Sequence, residues 1–274
     1  MTAVTFDAGQ ITPASRPAGA FTAASAVAGR SVRKFVRTPQ LLFISTITGA
    51  MFLLIFRYVF GGAISAGPVP YVDFMVPGYI VTSVLFTGSN ASSSVAQDLE
   101  EGFTDRLRSL PVSRAAVLTG RVVAETGLLA LCLAATAAIG FAVGFRPHGA
   151  GVDALAAFGL TLVFGFAFMW MFVWLGLIAG NVQAAQGMSL LIFPLSFVSS
   201  AMVPVDTMPG WMQPVAENQP LTVMVNAVRS LALGDPSLAG LTGSTTHYVV
   251  LSLVWAAGLI AVFAPLAVLK YRKA

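Results

Sequence analysis

The chain has 274 residues, of which 57% are hydrophobic and only 9% are charged. A soluble domain carries about a quarter charged residues, and a disordered chain needs low hydrophobicity, so this composition excludes both classes. An integral membrane protein remains. The single cysteine, Cys132, excludes an internal disulfide and a cysteine-based zinc cluster.

The amino-terminal 29 residues are rich in Ala, Thr, Ser, Gly and Pro. This composition predicts a flexible cytoplasmic tail at 1–29, followed by one membrane domain at 30–274. In the next segment, RSVRKFVRTPQ, apolar and basic residues separate onto opposite helix faces, which favours a short helix lying in the membrane interface. A plain basic patch beside the membrane is the alternative. The residues assigned to this interfacial helix are Arg33, Lys34, Phe35 and Arg37.

Six apolar stretches follow, each near or above the roughly 20 residues that a membrane-spanning helix requires. They are continuously apolar rather than alternating, which excludes transmembrane strands. The predicted fold is therefore all-α, with six transmembrane helices. The stretches run about Leu41–Phe60, Phe74–Ala96, Ala115–Gly144, Ala154–Ala179, Val182–Val203 and Tyr248–Leu269.

The basic residues predict the orientation of these helices. With both termini in the cytoplasm, only Arg57, Arg146 and Arg229 of the 15 Lys and Arg residues fall outside. Cytoplasmic enrichment of basic residues is the usual bias of multi-pass proteins. We therefore expect a multi-pass protein of the plasma membrane with both termini cytoplasmic. The excess positive charge then reflects topology and predicts no nucleic-acid partner.

Motifs of membrane enzymes are absent from the sequence. No lysine follows a glycine, so the chain has no phosphate-binding loop with which to hydrolyse ATP. His148 and His247 have no metal-ligand spacing around them, and no Gly-x-Ser-x-Gly nucleophile turn occurs. We predict no catalytic residue, no metal site and no cofactor bound by this chain.

The most charged segment is QDLEEGFTDRLRSLPVSRA, residues 97–115. From Leu99 an apolar residue recurs every three or four positions, which predicts a short amphipathic helix that ends at Pro111. A helix with Phe, Leu and paired charges suits docking in a groove on another protein. A solvated connector is the alternative.

The segment between the fifth and sixth spans is too apolar for a free loop and too rich in proline to span. It predicts short re-entrant helices that dip into the outer leaflet and pack against protein. Arg229 should be a partly buried cation with an acidic or carbonyl partner, for which Glu217 and Asp206 are candidates. Trp211 fits the interfacial aromatic belt. The residues assigned to this segment are Pro209, Trp211, Asn218, Pro220 and Arg229.

Polar and small residues inside the spans admit two interpretations. Gly88, Ser92 and Ala96 repeat every four residues, which favours close helix packing over contact with substrate. Arg121 and Glu125 lie four apart, and pairing between them is favoured over a cavity-facing Glu125. The residues assigned to a candidate substrate path are Ser89, Asn90, Ser93 and Glu125.

Two long motifs, EEGFTDRLRSLPVSRA and MPGWMQPVAENQPLTVMVNAVRSLALG, resemble those of the permease subunits of type-2 ABC exporters, the daunorubicin-resistance permease group in particular. The similarity runs from about Arg33 to Lys270, and it departs at Asn218-Gln219-Pro220, where many relatives have Asn-Pro. The resemblance implies that the charged segment is the coupling helix that contacts the ATPase. The residues assigned to it are Asp98, Glu100, Glu101, Gly102, Phe103, Asp105, Arg106, Arg108, Leu110 and Pro111.

The resemblance also implies partners and a function. We expect two copies of a separate ABC ATPase, which binds ATP and Mg, and a second permease, which is either another copy of this chain in a homodimer or a similar permease. The expected function is ATP-driven export of an amphiphilic drug-like or lipid substrate, with closure of the ATPase dimer alternating access through the spans. Export of a polysaccharide or other glycan is one alternative. A non-transporting membrane scaffold, whose charged loop binds no ATPase, is the other.

Overall fold

The computed structural model describes residue 47 and residues 49–62, 69–102 and 114–273. In these ranges the chain is helical and contains no strand, which confirms the all-α prediction. The tail at 1–29 and the predicted interfacial helix lie outside the described residues. The helices are α1 (Gly49–Phe60), α2 (Tyr71–Glu100), α3 (Arg114–Val143), α4 (Gly151–Ala179), α5 (Val182–Leu190), α6 (Phe193–Phe197), α7 (Gln213–Asn218), α8 (Pro220–Leu233) and α9 (Thr245–Lys273).

Four of these helices, α2, α3, α4 and α9, are long and apolar enough to cross a membrane. They correspond to the second, third, fourth and sixth predicted spans. The first predicted span is described only in its second half, where it forms α1 with a π-helical last turn at Phe56–Phe60. Six membrane crossings therefore remain a prediction.

The fifth apolar stretch does not form the continuous helix that its length predicts. It divides into α5 and α6, and the chain from Val198 to Pro204 is irregular. Pro194 lies in the first turn of α6, where its missing N–H cannot bond to the carbonyl of Leu190. The helix therefore breaks just before this proline, and the predicted 182–203 span is wrong as a single element.

Helix α4 is the centre of the bundle, since it packs against α2, α3, α5, α8 and α9. Its contact with α2 is close because glycines face the partner helix. A Cβ atom at Gly88 would lie 2.0 Å from the ring of Phe172, and one at Gly176 would lie 2.4 Å from the carbonyl oxygen of Ser92. Ser92 and Ala96 are fully buried. The face formed by Gly88, Ser92 and Ala96 therefore serves close packing, as the four-residue repeat predicts.

Helix α8 is too short to cross a bilayer and is buried along most of its length against α2, α4 and α9. Its last turn is fastened to the loop between α3 and α4, because the N–H groups of His148 and Gly149 donate to the carbonyl of Ala232, at 2.9 and 3.2 Å. The irregular chain after α6 lies directly on α2, where a Cβ atom at Gly78 would be 1.9 Å from the carbonyl oxygen of Ala201. The short elements thus close one end of the bundle.

Candidate functional site

Arg229 is the most deeply buried charged residue of this closed end, with 1% of its surface exposed. Its Nε donates to the carbonyl of Phe74 at 3.0 Å, and its Nη2 donates to the carbonyls of Ser200 at 2.8 Å and Ala201 at 3.4 Å. The guanidinium also stacks 3.6 Å from the centre of the Phe74 ring. Arg229 therefore joins α8 to α2 and to the irregular chain after α6.

The partners of Arg229 correct one prediction and support another. The candidate acids Glu217 and Asp206 are both exposed, and Arg229 donates instead to carbonyls and to the side-chain oxygen of Asn226. Carbonyl groups are available here because the chain from 198 to 204 has left the helix and its backbone oxygens lack intrahelical donors. A cation in α8 supplies the missing hydrogen bonds.

Other polar side chains serve the same irregular segment. The Tyr71 hydroxyl donates to the carbonyl of Met202 at 3.1 Å, and the Gln219 amide donates to the carbonyl of Val198. The Gln219 amide ties the start of α8 to the end of α6.

The remaining residues assigned to this segment lie at its surface or at helix starts. Trp211 is 76% exposed, as an aromatic residue of an interfacial belt would be. Asn218 is exposed, and its side-chain amide donates to the carbonyl of Pro214. Pro220 begins α8, and Pro209 accepts two backbone bonds that lead into α7.

The carboxyl-terminal end of α2 forms a second polar centre. The helix continues one turn beyond its predicted end, to Glu100, and Gly102 follows with a φ of 64°. Asp98 therefore lies in the last turn of α2, where it is 5% exposed and forms an ion pair with Arg121 of α3. Its carboxylate is therefore directed into the protein, and its assignment to the docking surface stays a prediction.

Arg121 also corrects a pairing prediction. Its Nη1 bonds to Asp98, and its Nη2 donates to the Ser94 hydroxyl at 3.0 Å. The ion pair therefore joins α2 to α3, whereas the predicted pair between Arg121 and Glu125 would have lain within α3. Glu125 is buried, with 8% of its surface exposed.

Two other acids of the predicted coupling segment lie at the surface. Glu100 and Glu101 are both exposed. Glu100 Oε1 accepts a hydrogen bond from the backbone N–H of Val182, the first residue of α5, at 3.2 Å, while Glu101 accepts from the side-chain amide of Gln97 at 2.8 Å. The other assigned residues lie outside the described part of the chain, namely Phe103, Asp105, Arg106, Arg108, Leu110 and Pro111.

An open cleft of about 400 Å³ separates α2 from α5 and α6. Polar groups on its wall are the Ser89 hydroxyl and the amides of Gln183 and Gln186, while Leu190 and Phe193 provide apolar surface. Gln183, Gln186 and Leu190 are exposed on one side of α5. A wall of this mixed character suits a molecule with both hydrogen-bonding and apolar parts.

Of the four residues assigned to a substrate path, Ser89 lines this cleft. Asn90 is exposed, and the Ser93 hydroxyl donates back to the carbonyl of Ser89 at 3.1 Å. Gln183 and Gln186 also line the cleft, although they are not among the residues predicted from the sequence. Their signal was available, since two amide side chains three residues apart in an apolar stretch share one helix face. Within the described ranges, no three His, Cys, Asp or Glu residues cluster as metal ligands would.

Comparison with known proteins decides the family. Residues 22–233 match the ABC-2 type transporter family. The chain belongs to this family. It is 34% identical over 244 residues to the daunorubicin resistance ABC transporter permease protein DrrB1 of Streptomyces coeruleorubidus. The aligned region covers 89% of this chain and 83% of that protein.

More distant relatives carry related descriptions. The probable doxorubicin resistance ABC transporter permease protein DrrC of Mycobacterium tuberculosis is 29% identical over 84% of this chain and 82% of its own length. The putative transport permease ycf38 of Cyanophora paradoxa is 25% identical over 69% of this chain and 68% of its own length. As an ABC-2 type family member with several apolar helices, the chain is a multi-pass membrane component of a transporter.

Proposed function

We propose that this ABC-2 family member is the permease subunit of an ATP-driven exporter that moves an amphiphilic, drug-like or lipid substrate out of the cytoplasm. The observation that carries the proposal is the match over 89% of the chain to a permease named for resistance to daunorubicin. Daunorubicin is an amphiphile, and the cleft between α2 and α5 offers amides beside Leu190 and Phe193. The cleft is open, which favours an amphiphile that enters from the bilayer.

The proposed transporter contains two copies of this permease and two copies of a separate ABC ATPase, which binds ATP and Mg. The positive-inside rule supports cytoplasmic termini and a cytoplasmic carboxyl end of α2. This end then presents Glu101 and the charged residues that follow it to the ATPase. Lipid surrounds the exposed apolar faces, of which α9 has the most continuous.

Co-purification with the ATPase tests the docking role. Reversal of charge at Glu101→Arg or Arg106→Glu should abolish or strongly weaken ATPase binding, since docking surfaces depend on charge complementarity. Glu217→Arg is the matched control, because Glu217 is an exposed acid on α7. Binding that survives both reversals unchanged would reject the docking role, and the absence of any ATPase in the wild-type complex would favour the scaffold alternative.

Transport is tested in inside-out vesicles with daunorubicin as the fluorescent probe. We expect ATP-dependent uptake by the wild-type complex and a raised KM for Gln186→Ala, because this substitution removes an amide from the cleft while ATPase docking is unchanged. Failure to move daunorubicin, a labelled phospholipid or another amphiphile, together with uptake of a labelled oligosaccharide, would replace the proposed substrate class by glycans.

A further inference from the structure

The carboxyl-terminal end of α2 contacts two different helices through two acids. Asp98 forms the ion pair with Arg121 of α3, and Glu100 accepts from the first backbone N–H of α5, that of Val182. Two residues correspond to about 200° of rotation on an α-helix, so the two acids lie on nearly opposite faces of the last turn. The end of α2 therefore sits between α3 and α5 and holds one on each side.

The contact with α3 is buried and multiple. The side chains of Asp98 and Arg121 are 7% and 13% exposed, and Arg121 is also held by the Ser94 hydroxyl one turn earlier on α2. Water and salt screen a buried pair much less than an exposed one. Relative sliding of α2 and α3 would leave both charges buried without their partners, so the two helices should move together at this end.

The contact with α5 is a helix cap supplied by another helix. Asn181 is the local N-cap, and its side-chain oxygen accepts from the N–H of Ala184 at 2.7 Å. The Glu100 carboxylate serves a different N–H of the same first turn, where unpaired donors and the helix dipole favour negative charge. Glu100 thus binds the start of α5, the helix that carries Gln183 and Gln186 into the cleft.

We propose that Glu100 is a positioning residue that makes α5 follow the end of α2, while the Asp98–Arg121 pair makes α3 follow it. The end of α2 then moves α5, which forms a wall of the cleft, through Glu100, and it moves α3 through Asp98. Each contact can be removed by substitution without removing the other. This inference rests on the proposed function, because it takes the displacement of α2 to come from the ATPase. It assigns Asp98 and Glu100 to transmission inside the permease, in place of contact with the ATPase.

The test measures movement at both helices in the permease–ATPase complex. In a Cys132→Ala background, a spin label at Leu191→Cys reports the end of α5 and one at Leu131→Cys reports α3, each paired with a label at Val262→Cys on α9. These three positions are 79%, 58% and 54% exposed, so the labels have room. Pulsed EPR distances are compared in lipid nanodiscs with and without Mg-ATP and vanadate.

In the parent complex we expect ATP to shift both distances. Glu100→Ala should remove most of the shift at Leu191 and leave that at Leu131, whereas Asp98→Ala should do the reverse. Glu100→Gln should restore the shift at Leu191, because its amide oxygen can still accept from the backbone of α5. Since Glu100 is exposed, its variants should fold even where Asp98→Ala does not.

Two results would overturn the inference. One is a full shift at Leu191 in Glu100→Ala, and the other is an equal loss at both positions, which indicates general damage. In either case the proposed function stands, provided that the parent complex shows its ATP-dependent shifts. A parent complex that binds the ATPase but shows no shift at either position would reject the proposed coupling as well.

Discussion

Replacement of Arg229 by methionine tests whether this buried cation stabilises the closed end of the bundle. Methionine keeps much of the apolar stem, so the packing volume changes little, but it removes every N–H donor. The carbonyls of Phe74, Ser200 and Ala201 then lose the donors that lie 2.8 to 3.4 Å away. We expect the irregular chain after α6 to loosen from α2.

The magnitude follows from the two bonds of ordinary length, those to Phe74 and Ser200. The Ser200 carbonyl lies outside a helix and is left without this donor, which costs about 1–3 kcal/mol, whereas the Phe74 carbonyl lies inside α2 and loses only an added bond worth about 0.5–1.5 kcal/mol. Removal of a desolvated charge offsets part of this, and hydrogen bonds in a membrane protein average only about 0.6 kcal/mol. The expected decrease in the free energy of unfolding is therefore about 2–3 kcal/mol, or roughly 4–12 °C in Tm for a chain of this size.

Arg229→Lys separates charge from geometry. Lysine keeps the charge, but its three N–H donors radiate from one nitrogen and cannot reproduce the planar fork that reaches Phe74 and Ser200 in different directions. We expect a loss close to that of Arg229→Met. Arg146→Met is the matched control, since Arg146 also donates to two carbonyls, those of Phe141 and Phe145, but is exposed, so water can replace its donors and stability should change by less than about 1 kcal/mol.

The assay is thermal unfolding in detergent, followed by tryptophan fluorescence at one heating rate and checked by gel filtration after heating. A single rate is needed because unfolding of such proteins is often irreversible. The reasoning would be refuted by a wild-type Tm in Arg229→Met, or by Arg229→Lys being as stable as the wild type, which would make charge alone sufficient.

Three further predictions concern a close helix contact, a helix cap and a titrating loop. Gly88→Ala should destabilise the protein by about 1–3 kcal/mol, because its methyl group would overlap an aromatic ring of α4. Gly127→Ala is the control and should be neutral or stabilising, because the space around Gly127 is open. Equal Tm values for the two variants would contradict this prediction. Asn181→Ala removes the side-chain cap of α5 and should speed hydrogen exchange in its first turn, consistent with a loss of about 1 kcal/mol, and unchanged exchange would argue against the cap. The pKa of the Asp235 carboxyl is lowered because the hydroxyl and the backbone N–H of Ser237 donate to it. These bonds stabilise the loop at neutral pH and weaken as the pH falls through that lowered pKa. Ser237→Ala removes the hydroxyl donor, so it should raise the pKa of Asp235 in an NMR titration. An unmoved titration midpoint would show that the backbone bond alone lowers the pKa.

Helix α4 and the fifth apolar stretch show how far hydrophobic pattern predicts this fold. The α4 sequence is continuously apolar, and its predicted limits differ from the observed Gly151–Ala179 by at most three residues. The fifth stretch has a similar pattern, yet it divides before Pro194. Proline is tolerated in many membrane helices when neighbouring groups satisfy the freed backbone. The irregular chain that follows α6 depends on donors from α2 and α8, which the hydrophobic pattern of the stretch does not reveal.

The polar centres show the same limit. The sequence predicts that Arg229 needs an acidic or carbonyl partner, but the carbonyl of Phe74 is 155 positions away in the chain. For Arg121 the local partner Glu125 is favoured by spacing, whereas the structure supplies Asp98, 23 positions earlier, from the neighbouring helix. Local spacing identifies which residues need partners. Helix packing decides which partners they meet.

The composition of α2 has a consequence for the biosynthesis of the protein. This helix is the least apolar of the four long helices, with a mean hydropathy of 1.2 in its most apolar window, and 78% of that window is buried inside the protein. Its polar groups Thr82, Ser83 and Ser92 are covered by the bundle, of which α4 forms the main wall. The ribosome completes α4 some 80 residues after α2, so α2 leaves the insertion machinery before its partner exists. We therefore expect newly made α2 to remain beside the translocon, or with an insertase, until α4 arrives, and chains truncated before residue 151 to be degraded.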